Sequence, residues 1–513
     1  IMAQQRENIY IGAPGFRGIN TQDAPVGQDA SYASIAENAV IDSFGRIGAR
    51  KGINLLTSSA TPLGSSVGVE NLFQYVDYSG TTVVFSTGNN KIFTGTSSLT
   101  DITPSGYTVS ANNWKIINFA NHAYFWQSAH EPLIYTDESG SGVLAAMSDH
   151  SHATGTPPEA NEALAAFGRI WAADVVNNKH TVYWSDSLNG HAWTGGSTGS
   201  LDVTSVWPTG HDEITALAEF NDLLVIFGKR SILLYSGASS PSSMTLQDTI
   251  TNIGCVARDS VQSTGSDLFF LSSSGVRSLG RVIQEKSNPI GDVSRSIRDE
   301  LVYNTTLETG NIKSVYSVEN AFYLLIFPVT AKIVYCFDVR SKLEDGSSRV
   351  TTWPTTGILA AARDDVGGEL YFGGVSGVSR YFGYLDNTSS YIMKYYTQPL
   401  AFGDPSRVKM LKEINLTLIG GSGSQLVANW AYDYTEGYSK QAFTVATSLI
   451  AEYGVAEYNV AASEYSATIV IDVAKLKARG SGKVATIGID ATIDGRALSI
   501  QELNTEAIIG RLI

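Results

Sequence analysis

The sequence predicts a mainly β protein: a β-propeller of six or seven blades, plus a β-sandwich-like platform built from the N- and C-terminal segments. Three observations predict it. The composition holds 49 Gly and 25 Tyr with only 16% charged residues, which suits many short strands joined by tight turns. A unit of strand, turn, strand, turn, strand recurs along the middle of the chain. After about residue 396 that unit gives way to longer stretches of alternating polar and apolar residues. The expected division is 1–66 for an N-terminal platform segment, 67–395 for the propeller and 396–513 for a C-terminal sandwich.

Taken in order, the first 55 residues are rich in turn formers and poor in long apolar runs, so they are expected to dock on another domain or subunit. The recurring unit then begins with "NLFQYVDYSGTTVVFSTGNNKIFTG" (71–95) and "IINFANHAYFWQSAHEPLIYT" (116–136). It continues through 163–186, 215–237, 260–280, 314–338 and 362–383. The middle strand of each unit carries an aromatic: Phe85, Phe125, Trp171, Phe227, Phe270, the run Phe322–Phe327, and Phe372. These recur at roughly 40- to 56-residue spacing, the range of four-stranded propeller blades. The turns "TGNN", "FANH", "VNNK", "EFND" and "VGG" supply Gly, Asn or Asp where hairpins need them.

Long inserts follow the second and third units, at 139–160 and 187–213, and connectors rich in Pro, Ser and Gly lie at 58–66 and 238–243. The best helical pattern is "GDVSRSIRDELV" (291–302), a connector helix packed on a sheet. "VKMLKEINLTLIGG", "SQLVANWAYDY", "SATIVIDVAKL" and "KVATIGIDATI" read as the strands of the sandwich.

The chemistry this sequence excludes is as informative. The net charge is −14, opposite in sign to that of a general nucleic-acid binder, whose phosphate contacts come from Lys and Arg. Cys255 and Cys336 stand far apart without CxxC spacing, so no disulfide framework is expected. No basic-then-apolar leader is read at the start, and no run reaches the roughly 18 apolar residues of a membrane span. His150 and His152 in "SDHSHATG" lack a third ligand at a recognisable spacing and read as solvated loop residues; no metal site is expected. "GSGK" (480–483) departs from a P-loop at Lys477 and Val484 and reads as a hairpin turn, and "GGVSG" (373–377) as a turn between strands. G-x-S-x-G is absent, and no cofactor is expected.

"YWSDSLNGHAW" (183–193) resembles an Asp-box, the S-x-D-x-G-x-T-W turn of sialidase-type propellers. The match runs through Ser185, Asp186, Gly190 and Trp193, with two extra residues between Asp and Gly and no Thr. Such a box is itself a folding turn, which casts Asp186 as a turn cap and Trp193 as a packing anchor. A glycosidase would need two carboxylates converging in a cleft, and Asp186, Asp202, Asp212 and Glu213 are the candidates. Arginines to hold a sugar carboxylate are sparse, so an enzyme is not expected.

The two ends of the chain carry a further resemblance. "GAPGFRGINTQDAPVGQDASYASIAENAVIDSFGRIGARKG" (12–52) resembles the N-terminal segment of the podovirus tail nozzle family, also called tail tubular protein B. Gly18, Asn20, Thr21, Asp23 and Pro25 match its first part, and Ala36, Asn38, Gly45, Ile47, Arg50 and Gly52 the rest. "TQPLAFGDPSRVKMLKEINLTLIGGSGSQLVANWAYDY" (397–434) resembles the family's block after the propeller, through Asp404, Lys409, Lys412 and Trp430 among others. A third match spans 480–511. The resemblance implies a structural virion protein, assembled in the host cytoplasm. It would form a hexameric nozzle ring at the distal tail, with the tail adaptor above, tail fibres or spikes as further partners, and double-stranded DNA passing without sequence-specific contact. Gly18, Asn20, Asp23, Arg50, Asp404 and Lys409 are then expected near ring or adaptor interfaces. The rival expectation is a glycan-binding or sialidase-like tail propeller.

Overall fold

A computed structural model describes residues 5–58, 63–64, 68–137, 142–285, 292–354, 356–446 and 471–510. Parts of the 58–66 connector and of the 139–160 insert, Gly291, and the start of "SATIVIDVAKL" lie outside the described residues. The chain is mainly β, built from many small antiparallel sheets. No helix among the described residues is long and apolar enough to cross a membrane.

The repeated unit of the sequence is a small sheet, and seven follow one another. The first holds strands Asn71–Val76, Thr82–Gly88, Lys91–Thr94 and Thr100–Asp101, and the second Lys115–Phe119, His122–Trp126, Leu133–Thr136 and Val143–Ala146. The third runs from Ala160–Ala166 to Gly199–Asp202, and the fourth from Ile214–Phe220 to Thr245–Thr251. The fifth has three strands, Gln262–Ser263, Leu268–Ser272 and Gly275–Ser278. The sixth comprises Lys313–Ser317, Phe322–Phe327, Ile333–Lys342 and Ser348–Pro354. The seventh takes Ala360–Arg363, Leu370–Gly374 and Gly377–Tyr381, and its fourth strand, Ile53–Leu55, comes from the N-terminal segment.

Turn chemistry sets the hairpins. Asn89–Asn90, Ala120–Asn121, Phe167–Gly168 and Asn221–Asp222 all have positive φ, the two-residue turn whose twist matches the strands it joins. The aromatics singled out in the sequence all fall on the second strand of their sheet and are buried. Because successive side chains on a strand alternate faces, each second strand feeds two cores. Phe85 packs edge-on against Phe125 of the next sheet at 5.0 Å between ring centroids, while Val84 packs with Ala360 and Val378 of the seventh. Apolar clusters of this kind join first to second, second to third, and so on to seventh, and the last joins seventh back to first. The first strands of the sheets neighbour one another in the same order, with Arg258–Ser260 bridging the fourth and sixth and Ala360–Arg363 returning to Asn71–Val76.

Two larger sheets are woven from both ends of the chain. In one, Leu498–Ile509 pairs with Lys409–Gly420 and with Arg6–Gly12, with Arg6 opposite Ile508; Ile471–Lys477, Ile47–Ala49 and Ala39–Ile41 complete it. The other continues the sixth sheet through Gly18–Ile19 and Tyr32–Glu37 to Tyr391–Thr397, Ala485–Ile493, Gln425–Tyr432 and Ser439–Thr444. The two share a core that includes Ile414, Leu416, Leu426, Trp430, Ile487 and Leu503. The expected boundary at 395/396 falls inside strand Tyr391–Thr397, and Ile53–Leu55, within the 1–66 segment, pairs with the seventh sheet.

Two local expectations need correction. "GSGK" is not a hairpin turn: it carries the chain from Ile471–Lys477 in one large sheet to Ala485–Ile493 in the other. Both flanking strands bury a face in the shared core, so the connection must cross between layers. The α-helix runs over Arg298–Glu308, not 291–302. Asp292 accepts bonds from the backbone N–H and hydroxyl of Ser294, which makes a separate turn before the helix starts. At its far end Glu308 accepts from the N–H groups of Val329, Thr330 and Ala331.

Candidate functional site

The residues that carry the family resemblance gather where the chain's ends meet the sheets. Gly18 lies between two parallel neighbours, opposite Val350 on one side and Tyr32 on the other. Its φ is +78°, and a Cβ there would sit 2.3 Å from the Val350 carbonyl oxygen, so only glycine fits. Asn20, 4% exposed, closes an Asx turn: its Oδ1 accepts from Gln22 N and Asp23 N, and its Nδ2 donates to Asp23 at 2.9 Å. The amide of Gln398 donates to the Asn20 carbonyl, which ties this turn to the C-terminal block.

Arg50 is 2% exposed and joins three parts of the chain. Its guanidinium grips Asp386 with two bonds of 2.8 and 2.6 Å, donates through Nε to Asn38, and lies 4.3 Å from the Tyr391 ring centre. It borders an open cleft of about 410 Å³ lined also by Asn38, Ile358, Gly374, Asp386 and Tyr391. Because Asp386 already neutralises it, this cleft presents no spare charge to a ligand.

Lys409, buried in the woven sheets, donates from Nζ to the carbonyls of Asp404 and Lys483, and burial lowers its pKa. Asp404 is exposed and accepts from the N–H and hydroxyl of Ser406, which hold its carboxyl below the usual range. Of the six motif positions, Gly18, Asn20, Arg50 and Lys409 are thus engaged inside the chain, and Asp23 and Asp404 face solvent.

The Asp-box-like stretch builds a different place. Asp186 Oδ1 accepts from the hydroxyl and N–H of Ser197 at 2.6 and 2.9 Å, and these bonds lower its pKa. It therefore caps a turn midway along the insert, at Ser197. Trp193 packs edge-on against Trp126 at 5.6 Å, and its backbone N–H donates to the Thr154 carbonyl at 2.7 Å. Thr154 and Ala192 form a β-bridge, so the two long inserts clasp each other. The glycosidase candidates are each used locally: Asp202 accepts from Thr204, buried Asp212 from the N–H groups of Glu213, Lys229 and Arg230, and Glu213 pairs with Lys229 at 2.7 Å.

The sequence reading missed what surrounds this clasp. His150 and His152 lie in a loop, as expected, with His150 half-buried and His152 exposed, but they are not isolated. The fold adds His122, from the second sheet, and His191, from the Asp-box-like stretch. Ring centroids lie 4.1 Å apart for His150–His191, 5.8 Å for His122–His150 and 6.1 Å for His122–His191. The Tyr124 hydroxyl stands 3.3 Å from His191 Nδ1. Gly190 allows this approach, since a Cβ there would meet Tyr124 and Ile170 within 2.7 Å. Burial first, and then the three neighbouring imidazoles, pull the His191 pKa down to about 4. Among the described residues no group of three or more His, Cys, Asp or Glu is arranged to hold a metal ion.

A second missed feature lies where the first strands converge. Arg258 donates to Asp259, Asn161 and Asn113, and Lys313 donates to Asp259 at 2.6 Å. Against the opposing effect of burial, Arg258 and Lys313 hold the Asp259 carboxyl far below its usual range. Beside them Glu162 is fully buried, with Lys115 at 3.4 Å and Arg258 at 4.0 Å and no hydrogen bond to either oxygen. Burial raises its pKa to about 7. These residues lie on three different sheets and two connecting segments, a convergence that strand patterning does not reveal. Both cysteines are buried free thiols, and burial pushes Cys255 up to about 12.

No protein-family model matches the chain, and no curated protein is significantly similar to it.

Proposed function

We propose that this chain is a structural virion protein, the subunit of the distal tail nozzle of a short-tailed phage. In this reading the seven small sheets are the blades of a propeller, and the two woven sheets are the sandwich-like platform that meets neighbouring copies. Six copies close a ring below the tail adaptor, conduct the exiting genome and bind fibres or spikes.

The observation that carries the reading is what the motif residues at the two ends do. Gly18, Asn20 and Arg50 from the start of the chain engage Val350, Gln398 and Asp386, more than 300 residues away. Motif residues whose role is architectural should fall at such a junction. The cyclic order of the inter-sheet cores supports the propeller, and Ile53–Leu55 then closes it as the N-terminal strand of the last blade. The net charge of −14 suits a channel from which DNA must slide away. The local use of Asp186, Asp202, Asp212 and Glu213 in separate turns speaks against a glycosidase cleft.

Electron microscopy of virus particles carrying this protein tests the proposal. A six-fold ring at the distal tail, located by antibody against this chain, is the expected result. A tail tip without such a ring overturns it. Hydrolysis of sialosides or bacterial polysaccharide by the purified chain, lost in Asp186→Ala, would establish the enzymatic rival instead.

A further inference from the structure

Four of the chain's seven histidines meet between the two inserts. His122 comes from strand His122–Trp126, His150 and His152 from the loop after Met147–Asp149, and His191 from the loop after Thr181–Trp184. His152 joins the others at 5.7 Å from His150 and 6.4 Å from His191. The two loops are fastened by a short series of bonds: the Trp193 backbone N–H to the Thr154 carbonyl, Thr154 N–H to the His191 carbonyl at 3.3 Å, and the Thr154 hydroxyl to the Thr194 carbonyl. Trp193 on Trp126 closes the apolar side.

We propose that this cluster is an acid-operated latch, in which neutral imidazoles let the two inserts clasp and their protonation drives the inserts apart. The geometry supplies the force. Rings about 4–6 Å apart cannot all take a proton without like-charge repulsion in a partly dry setting. Among the described residues, the charged groups acting on His191 are His150, His122 and His152, with no carboxylate among them. On the elements packed around it, Asp186 is committed to Ser197, Arg169 to Ser185 and Ser197, and Asp149 is exposed on its short helical turn. The Tyr124 hydroxyl beside His191 Nδ1 is uncharged and brings no negative charge to offset an imidazolium there.

The sign follows. The folded-state pKa of His191 is depressed below the ordinary 6.5, so the clasp is fully stable above that value and is lost as pH falls from about 6.5 toward 4. Opening frees Thr154 and lifts Trp193 from the edge of the core beneath, whose buried members Trp126, Ile134, Ala163 and Ile170 still hold the second and third sheets together. The latch does not depend on the nozzle reading and stands or falls by its own measurement.

Hydrogen exchange of the full chain, read by mass spectrometry at pH 7.5 and 5.0 and corrected for intrinsic rates, tests it. Peptides spanning 147–155 and 187–196 should lose roughly tenfold or more protection at the lower pH, while strand Arg169–Val175 keeps its own. The double variant His150→Gln, His191→Gln should show no such fall. His152→Gln, at an exposed position that leaves the core untouched, should show a smaller fall than the unaltered chain. Equal protection at both pH values, or the same fall in all three proteins, overturns the latch.

Discussion

The seven-sheet body and the woven pair of sheets are both mainly antiparallel β structure, with parallel pairing around Gly18–Ile19 in the woven part, yet they are held together in opposite ways. In the body, most strands pair with their immediate successors, several through two-residue turns, as Gly88 pairs with Lys91 and Phe119 with His122. In the woven part, Arg6 pairs with Ile508 and Glu37 with Lys394. Local pairing costs little loop-closure entropy, whereas pairing the two ends of the chain costs more and is the slower to form. The body can thus be assembled sheet by sheet, while the woven part exists only when the whole chain is in place. Ile53–Leu55 in the seventh sheet and Ser348–Pro354 shared with the ten-stranded sheet couple the two.

The largest effect should come from breaking the body between two sheets. Phe85 is fully buried against Phe125, Tyr75 and Tyr135. Phe85→Ala should cost about 4 kcal/mol, the transfer of the ring plus the cavity it leaves. Chemical denaturation should show the lower midpoint. If the chain ends couple body and woven part into one unit, calorimetry should still show one transition, shifted as a whole.

Cutting the coupling itself should do something different. Arg50→Ala leaves Asp386 and Asn38 without their partner and removes the stacking on Tyr391. The expected cost is about 3 kcal/mol, below the upper range for a buried pair because Asp386 is 32% exposed. Here the single calorimetric transition should split in two, as the woven part melts ahead of the body. Arg50→Lys should behave nearly the same, since an ammonium cannot reproduce the two-pronged grip. A single unsplit transition in Arg50→Ala would show that the remaining strand pairings suffice to couple the regions.

The same contrast explains what was legible in the sequence. The second-strand aromatics and the Asn- and Gly-bearing turns announced the body because the information is local: Phe85, Phe125 and Trp171 each report their own hairpin. The long strands after residue 396 were visible by alternation, since each buries one face. Their partners were not. Nothing in "RENIYIG" says that it pairs with the last strand, nor that Gly18 must pass between Val350 and Tyr32. "GSGK" read as a hairpin because a turn and a crossover use the same glycines. The histidine cluster was hidden for a related reason: His122 and His191 lie 69 residues apart and meet only through the clasp of two inserts. The buried charges around Glu162 were hidden too, because a lone Glu in "ANEALAA" looks like an ordinary solvent-facing residue.

That glutamate gives the smallest and most specific test of the body. Asp259 takes the close bonds of Arg258 and Lys313, so Glu162 is left with ion pairs at 3.4 and 4.0 Å and two oxygens that accept no hydrogen bond. Its pKa rises from the ordinary 4.5 to about 7 because burial disfavours the anion. The folded chain therefore holds a proton that the unfolded chain releases between those values. Its contribution is fully present below pH 4.5 and is lost as pH climbs through 7. Glu162→Gln keeps the shape and removes the titration. At pH 8 the variant should be more stable than the unaltered chain, by on the order of 2 kcal/mol, and at pH 4.5 the advantage should vanish. Denaturation midpoints of both proteins across that range, compared as differences, remove the histidines' opposite trend. A constant difference at every pH would mean that the place where the first strands converge is wet enough to solvate the carboxylate. Local water access, more than the ring of charges around it, would then set how the seven sheets respond to pH.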